Sequence, residues 1–283
     1  MGSAERVSTG VRRWATFGHE AVDVSAVPSA DERYSFETDG YLVVESFLGS
    51  DHVARLRAAL QRAIARRREL ERRGTPHFAR PGMERTGSTR IFYLLADDPL
   101  FLELADYPPV MPYIRALLNQ NEPHFHASDA FWEEGAHAGP ARWHIDGPDH
   151  GFRNLRPRVP MLELKIGYFL SDMTQPDQGN LMVVPGSHKT DVEPTAEALS
   201  GFDTFPGAIQ VCCPAGSCVI FHNALWHTRG PATRADGRRI MLYYAYEHPW
   251  MIGSPEHTAY RREFYAGLSG TRRKLFHDFL FRP

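Results

Sequence analysis

The feature that most constrains the fold of this chain is a series of short β-prone segments that begins near residue 122. Turns rich in Gly and Pro separate them, for example Pro176-Asp177-Gln178-Gly179 and Pro214-Ala215-Gly216. Many short strands divided in this way predict a β-sandwich or barrel. The predicted strands cover residues 124–132, 162–170, 181–184, 209–213, 218–222 and 240–246.

Helices are expected before this β-rich part. After a short strand over 41–45, Val53, Leu56, Leu60 and Ile64 recur at helical spacing, and Ser50-Asp51 is the expected N-cap. A second helical region over 99–118 is broken by Pro108-Pro109. Residues 74–90 are predicted to form a loop long enough to be a lid. The expected fold is mainly β with flanking α, with residues 1–30 as a loosely attached N-terminal arm and 31–283 as a single domain.

The charge and composition exclude several kinds of partner. A net charge of −2 and a pI near 6.7 give no electrostatic case for nucleic acid. The Arg-rich face of the first long helix is interrupted by Glu69 and Glu71, so it is interpreted as a solvated surface. No apolar run approaches the ~20 residues that cross a bilayer, and residues 1–20 lack the apolar core of a signal peptide. The three cysteines form neither a disulfide framework nor a zinc pattern, which favours a reducing cytoplasm.

The strongest local signal for chemistry is Trp143-His144-Ile145-Asp146. In a strand, residues i and i+2 point to the same face, so His144 and Asp146 can ligate one metal. The best candidate for a third ligand is His227. Two imidazoles and one carboxylate form the facial triad of non-haem Fe(II) oxygenases, which leaves open positions for a chelating 2-oxo acid and for O₂.

An arginine follows the distal histidine at a suggestive distance. Arg238 lies 11 residues after His227, on the approach to the strand predicted over 240–246. Arginine can form the bidentate pair that a buried carboxylate requires. The alternative is that Arg238 is a surface residue, because Arg239 is its neighbour and one of the two must face outward.

Two other functions stay open on the residues alone. His124 and His126, with Glu133 or Glu134, form a possible cupin-type metal site that needs no 2-oxoglutarate. The chain could also be a non-enzymatic jelly-roll binding module. Replacing His227 separates the first alternative from the oxygenase, since only the oxygenase would lose its metal.

The chain resembles the phytanoyl-CoA dioxygenase family over roughly residues 33–250. The motifs that carry the resemblance occur in the family's order and are Trp143-His-Ile-Asp146, Lys165-Ile-Gly-Tyr-Phe-Leu-Ser-Asp172, Gly179-Asn-Leu-Met-Val-Val-Pro-Gly-Ser-His188, and His227 with Arg238. The resemblance implies a double-stranded β-helix, that is, a cupin-like jelly roll, with N-terminal helices. It also implies Fe(II), O₂ and 2-oxoglutarate as co-substrate.

The resemblance assigns roles to particular residues. His144, Asp146 and His227 match the metal ligands, and Arg238 matches the arginine that pairs with the C5 carboxylate of 2-oxoglutarate. Tyr168 matches a position where members place an aromatic residue beside the co-substrate.

The sequence also departs from the family pattern near the distal histidine. Arg229 and Ala232 stand where members often have Ser and Asn, so Thr228 is the expected source of a hydroxyl for the co-substrate. Arg far outnumbers Lys, as in high-GC bacteria. This composition favours a tailoring enzyme that hydroxylates or oxidatively cyclises a small molecule, such as a sugar-containing intermediate of antibiotic biosynthesis.

Overall fold

The structure is a computed structural model that describes residues 27–74, 83–85, 88–136, 142–147, 151–156, 158–195, 205–251 and 257–276. The arm predicted over residues 1–30 lies almost wholly outside the described residues. None of the described helices is long and apolar enough to cross a membrane. The helices, numbered in chain order, are α1 (Ala30–Asp39), α2 (Ser50–Arg72), α3 (Pro99–Ala105), α4 (Met111–Leu118), α5 (Arg262–Ala266) and α6 (Gly270–Arg273).

Helix α1, which the apolar periodicity does not predict, starts with a capping box. The Ser29 hydroxyl accepts from the Glu32 backbone N–H, and the Glu32 carboxylate accepts from the Ser29 N–H. The N-cap expected at Ser50-Asp51 is wrong, because α2 begins at Ser50 and its N-cap is Gly49, which has no side chain to offer. The break at Pro108-Pro109 is confirmed, since α3 ends before it and α4 begins after it.

The arginine-rich face of α2 is only partly solvated. Arg67 is buried and pairs with the fully buried carboxylate of Asp97, which also pairs with Arg66. Arg62 reaches Asp98 at 2.8 Å. These ion pairs join α2 to the segment before α3, so part of the basic face stabilises the packing of the helices.

The strands of the described residues form two antiparallel sheets. A seven-stranded sheet has the order β1-β8-β5-β10-β4-β3-β2, and a three-stranded sheet has the order β7-β6-β9. The strands are β1 (Tyr41–Val44), β2 (Met83–Arg85), β3 (Ser88–Phe92), β4 (His124–Glu134), β5 (Glu163–Phe169), β6 (Leu181–Val183), β7 (Ile209–Gln210), β8 (Cys218–His222), β9 (His227–Arg229) and β10 (Arg238–Glu247).

The segment predicted as a lid is partly sheet. Residues 83–85 and 88–90 belong to β2 and β3, which pair with each other, and β3 pairs with β4. The remainder, residues 75–82 and 86–87, lies outside the described residues. The prediction of one long loop over 74–90 is therefore wrong for the part that extends the large sheet.

The large sheet is buried on both faces. One face packs against the small sheet through Phe169, Phe221 and Met241, which meet Leu181 and Val183. The opposite face packs against the helices, and the Tyr244 hydroxyl donates to the Phe101 carbonyl of α3 at 2.8 Å. Two antiparallel sheets with helices on the outer face confirm the prediction of a mainly β jelly roll with flanking α.

Tyr168 lies on the face of β5 that packs against the helices. Leu164, Ile166 and Tyr168 lie on the helix side and are fully buried in its core, whereas Lys165 lies on the other face. The role expected for Tyr168 beside the co-substrate is therefore wrong: strand alternation points its ring away from the space between the sheets.

Candidate metal centre

A cavity of about 710 Å³ opens between the two sheets. The segment over 142–147 reaches it by pairing with β9. His144 and His227 exchange backbone hydrogen bonds, with N···O distances of 3.1 and 3.0 Å. This pairing brings the two imidazole rings together, with 4.2 Å between their centroids. Pairing between two segments far apart in the sequence thus brings His144 and His227 together.

Each of the two histidines is oriented by a backbone carbonyl. The Nδ1 atom of His144 lies 2.9 Å from the Arg142 oxygen, and that of His227 lies 2.9 Å from the Leu225 oxygen. A carbonyl oxygen only accepts hydrogen bonds, so Nδ1 carries the proton in both rings. The Nε2 lone pairs are left for a metal, in the arrangement that fixes the tautomer of metal-bound histidines.

Asp146 completes the group. Its Oδ2 atom is buried, lies 3.6 Å from His227 Nε2, and has no hydrogen-bond partner among the described residues. The donor atoms of His144, Asp146 and His227 all lie within 4.8 Å of one another. Within the described ranges, no other group of three His, Cys, Asp or Glu side chains meets this condition. An orphaned carboxylate oxygen beside two free imidazole nitrogens fits a divalent transition metal.

The surroundings of Asp146 and His227 keep these two side chains in the protonation states that can bind a metal. Burial opposes ionisation of Asp146, but Lys165 outweighs it, with help from the two histidines, and lowers the pKa of the carboxyl to about 2. Burial, together with the neighbouring His144, lowers the pKa of His227 to about 4. At neutral pH the site therefore offers a carboxylate and a neutral imidazole.

Asn223 connects the metal-site segment to the large sheet. Its backbone carbonyl accepts from the Asp146 N–H at 2.8 Å, and its side-chain oxygen accepts from the Leu162 N–H at 3.1 Å. Asn223 is fully buried. It therefore holds Asp146 next to the start of β5, where Lys165 lies 3.5 Å from Asp146 Oδ1.

Arg239, and not Arg238 as expected, lines the cavity. Arg238 is 56% exposed and pairs with Glu134 at the surface, away from the cavity. Arg239 is 5% exposed and lines the cavity, because β10 directs its odd-numbered residues inward. The expectation that Arg238 faces a bound co-substrate is therefore wrong.

Arg239 belongs to a buried cluster around Glu133. The Glu133 carboxylate lies 3.0 Å from Arg239 and 3.6 Å from Arg229. Burial raises the pKa of Glu133, but the two guanidinium groups outweigh it and lower that pKa below its usual value. Tyr243 accepts a 3.4 Å hydrogen bond from Arg239. The cupin-type alternative requires Glu133 or Glu134 as a metal ligand, whereas Glu133 pairs with two arginines.

The remaining predicted positions divide between the cavity and the sheet. Thr228 lines the cavity, but its hydroxyl donates to the Arg142 carbonyl at 3.2 Å. A hydroxyl has one hydrogen, so Thr228 cannot donate to a co-substrate while that bond persists. His126 bonds Glu247 at 2.7 Å, and the ring of His124 lies against that of His257. The two histidines of the cupin alternative thus have other contacts.

A jelly roll that brings two histidines and a carboxylate together at an internal cavity has the architecture of the mononuclear non-haem iron oxygenases. A family model described as phytanoyl-CoA dioxygenase (PhyH) matches residues 36–240, and the chain belongs to that family. It is accordingly a 2-oxoglutarate-dependent dioxygenase that uses Fe(II), 2-oxoglutarate and O₂.

Individual relatives agree with this placement. An ectoine dioxygenase of Stutzerimonas stutzeri is 28% identical over 254 residues, which cover 80% of this chain and 79% of the relative. The apo structure of EctD from S. alaskensis has a TM-score of 0.61 at 24% identity, covering 81% of this chain and 80% of that chain. HygX from Streptomyces hygroscopicus, solved with nickel, 2-oxoglutarate and hygromycin B, has a TM-score of 0.59 at 22% identity. The match covers 79% of this chain and 88% of HygX. These structures confirm the fold.

Proposed function

We propose that His144, Asp146 and His227 hold one Fe(II) ion in a dioxygenase that hydroxylates or oxidatively cyclises a small molecule. The observation that carries this proposal is the convergence of three donor atoms, each left without another partner, at one internal cavity. When bound, the iron supplies, with O₂ and 2-oxoglutarate, the oxidising power to attack a C–H bond. The chain's own residues bind, orient and shield the reactants.

Arg239, with Arg229, is the proposed anchor for the distal carboxylate of 2-oxoglutarate. These two guanidinium groups share the single carboxylate of Glu133, so the cluster keeps an excess positive charge inside the cavity. The Nε–H of Arg239 is buried and has no partner among the described residues. A buried donor without a partner is costly, and a carboxylate would satisfy it with a charge-assisted hydrogen bond.

The wall beside the metal centre is aromatic. Trp143 and Trp226 line the cavity, and both lie against Phe205. Arg156 stacks 5.1 Å from the Trp226 ring and pairs with Glu193. An apolar platform edged by a few polar groups is typical of small-molecule sites, which enclose ~300–1,000 Å³.

The substrate class we propose is bacterial secondary metabolites, including those that carry sugars. The cavity volume leaves room for such a molecule. In support, HygX was solved with hygromycin B, and the epimerase SnoN was solved with nogalamycin RO and has a TM-score of 0.54. The ectoine dioxygenase relatives support ectoine as an alternative substrate. A cytoplasmic location, predicted from three unpaired cysteines, stays part of this proposal.

The test is an anaerobic titration of the metal-free protein with Fe(II) and 2-oxoglutarate, followed through the weak visible charge-transfer band of the chelate. Three proteins are compared: the unaltered chain, Arg239→Lys and Arg238→Ala. Lysine keeps the positive charge at 239 but loses the planar donor fork. We expect the unaltered chain and Arg238→Ala to bind 2-oxoglutarate with the same affinity. Arg239→Lys should need at least about 10-fold more 2-oxoglutarate for half-saturation, as expected for the loss of one charge-assisted hydrogen bond.

Two outcomes would count against the proposal. No band in a folded, iron-loaded sample would remove the proposed chelate site. A weakened band in Arg238→Ala together with an unchanged one in Arg239→Lys would return the co-substrate anchor to position 238. Circular dichroism and thermal unfolding of each variant exclude misfolding as the cause.

A further inference from the structure

Lys165 is a largely buried cation at the metal centre, with 16% of its side chain exposed, and the proposed function does not use it. Its Nζ lies 3.5 Å from Asp146 Oδ1 and 3.1 Å from Glu163 Oε1. The chain has two other lysines, Lys189 and Lys274, and both are exposed. A lysine is rarely buried unless it is paired, so its place here calls for an explanation.

The lysine is held from behind by a second layer of ionisable groups. Glu163 and Glu247 lie directly opposite each other in the pairing of β5 with β10, and both are buried. Like charges facing each other on neighbouring strands are destabilising. His126 lies between them, with Nδ1 2.7 Å from Glu247 and Nε2 3.7 Å from Glu163. The network therefore alternates carboxylates with cationic or protonatable groups, from Glu247 to Asp146.

Such a network is a poor source of stability. Burying paired charges costs about as much as their attraction returns, and apolar replacements of similar size are often as stable. Side chains of neighbouring strands could fill this space without any charge, as Phe169 and Met241 do further along the same face. The position of the network, ending on a metal ligand, indicates a role at that ligand.

The two oxygens of Asp146 have different surroundings. Oδ1 faces the Lys165 ammonium at 3.5 Å, whereas Oδ2 lies 3.6 Å from His227 Nε2 and has no hydrogen-bond partner among the described residues. A partial rotation of the carboxylate out of this orientation would lose the contact between one of its oxygens and the ammonium.

We propose that Lys165 is a positioning residue that engages Oδ1 of Asp146 and so presents Oδ2 alone to the metal, with Glu163 holding Lys165 in place. The inference rests on the proposed function in one respect, namely that the metal binds at His144, Asp146 and His227. It adds a residue that touches the ligand and not the metal.

A positioning role and a purely electrostatic role predict opposite changes in metal affinity when Lys165 is removed, so the two roles can be distinguished. An ammonium near a divalent cation repels it, so a lysine that contributed only charge would weaken metal binding, and its removal would tighten binding. If Lys165 instead orients Asp146, its removal weakens binding, as loss of the groups that orient metal ligands typically costs 10- to 100-fold in affinity.

The experiment is calorimetric titration of the metal-free protein with Ni(II), for the unaltered chain, Lys165→Met and Glu163→Gln. Methionine has similar length and no charge. Lys189→Met is the matched control, because it removes an exposed lysine that is not among the residues lining the cavity. We expect the Kd for Ni(II) to rise about 10- to 100-fold in Lys165→Met, to rise less in Glu163→Gln, and to be unchanged in Lys189→Met.

A spectroscopic measurement accompanies the titration. The visible d–d absorption of bound Co(II) changes with the number and arrangement of its oxygen ligands. We expect one spectrum for the unaltered chain and Lys189→Met, and a different one for Lys165→Met at saturating Co(II). Loss of general stability would not produce this change in a folded, saturated sample.

The outcomes separate this inference from the function on which it rests. If the unaltered chain fails to bind one Ni(II) ion, the metal centre itself is wrong and the inference falls with it. If the unaltered chain binds Ni(II), and Lys165→Met binds it equally or more tightly with the same Co(II) spectrum, only the role of Lys165 is overturned. Should Lys165→Met not fold, Glu163→Gln decides: unchanged affinity and an unchanged spectrum in that variant overturn the proposal.

Discussion

Strand alternation explains both site residues that the sequence analysis misplaced. In β5, Glu163, Lys165 and Gly167 alternate with the apolar Leu164 and Ile166, and this period of two already places Tyr168 on the apolar side. The alternation of β5 thus indicates the apolar face for Tyr168, in conflict with the position that the family resemblance implies.

No such signal exists at the start of β10. Residues 239–242 of this strand are buried on both faces, so apolar residues occupy both parities and the pattern does not say whether position 238 or 239 faces inward. The pairing of Arg239 with Glu133 across β10 and β4 decides it. That register is a property of the assembled sheet.

At the residue scale, His227 and His124 distinguish the two metal sites considered from the sequence. We expect His227→Ala to weaken Ni(II) binding by at least about 100-fold, because it removes one of the three proposed protein ligands and not merely an orienting group. His124→Ala should bind Ni(II) as the unaltered chain does, since His124 lies outside the triad. Calorimetric titration of both variants measures this, and the reverse result would favour the cupin-type site.

At the element scale, the sequence predicts the break between α3 and α4 but not helix α1. The break at Pro108-Pro109 was predictable because proline removes a backbone donor and clashes with the preceding turn. The helix α1 was missed although Ser29 and Glu32 stand at capping-box spacing and Gly40 ends the helix in the left-handed conformation. Helix α1 is weakly amphipathic, with Phe36 as its one buried residue, so its sequence has no clear apolar periodicity.

The caps of α1 and α2 provide a matched pair of substitutions. Ser29→Ala should lower the free energy of unfolding by about 1 kcal/mol, because it leaves the Glu32 N–H without its side-chain acceptor. Ser50→Ala should change it by less than about 0.5 kcal/mol, since Ser50 is the first helical residue and not the cap. Urea unfolding of both variants measures the difference, and equal effects would show that α1 is not held by its cap.

At the scale of the whole molecule, burial of histidines couples folding to pH. Burial, with the neighbouring His188, lowers the pKa of His222 to about 3, and that of His227 is lowered to about 4. Unfolded histidines titrate near 6.5. Between pH 6.5 and these lowered values the unfolded chain binds protons that the folded chain does not, so acid destabilises the fold. His126, whose pKa is raised by Glu163 and Glu247 despite burial, opposes this trend.

The substitution His222→Asn isolates one of these groups. The Nδ1 atom of His222 accepts from the Ala224 N–H at 2.9 Å, and an asparagine oxygen can take that bond without titrating. We expect metal-free protein to lose up to about 2 kcal/mol more stability between pH 7 and pH 5 than His222→Asn does. Urea unfolding across this range measures the two slopes, and identical slopes would mean that the pKa of His222 is the same in the folded and unfolded states.

The sequence by itself determined the class of fold, the break between the third and fourth helices, and the three metal-ligand candidates. These features depend on local chemistry: turn residues between short strands, proline geometry, and the two-residue spacing of His144 and Asp146 on one face. The tertiary structure decided which arginine enters the cavity, where Tyr168 points, and that Lys165 faces Asp146. Each of these depends on the register between strands distant in the chain, and a shift of one residue would turn every side chain of a strand to the opposite face.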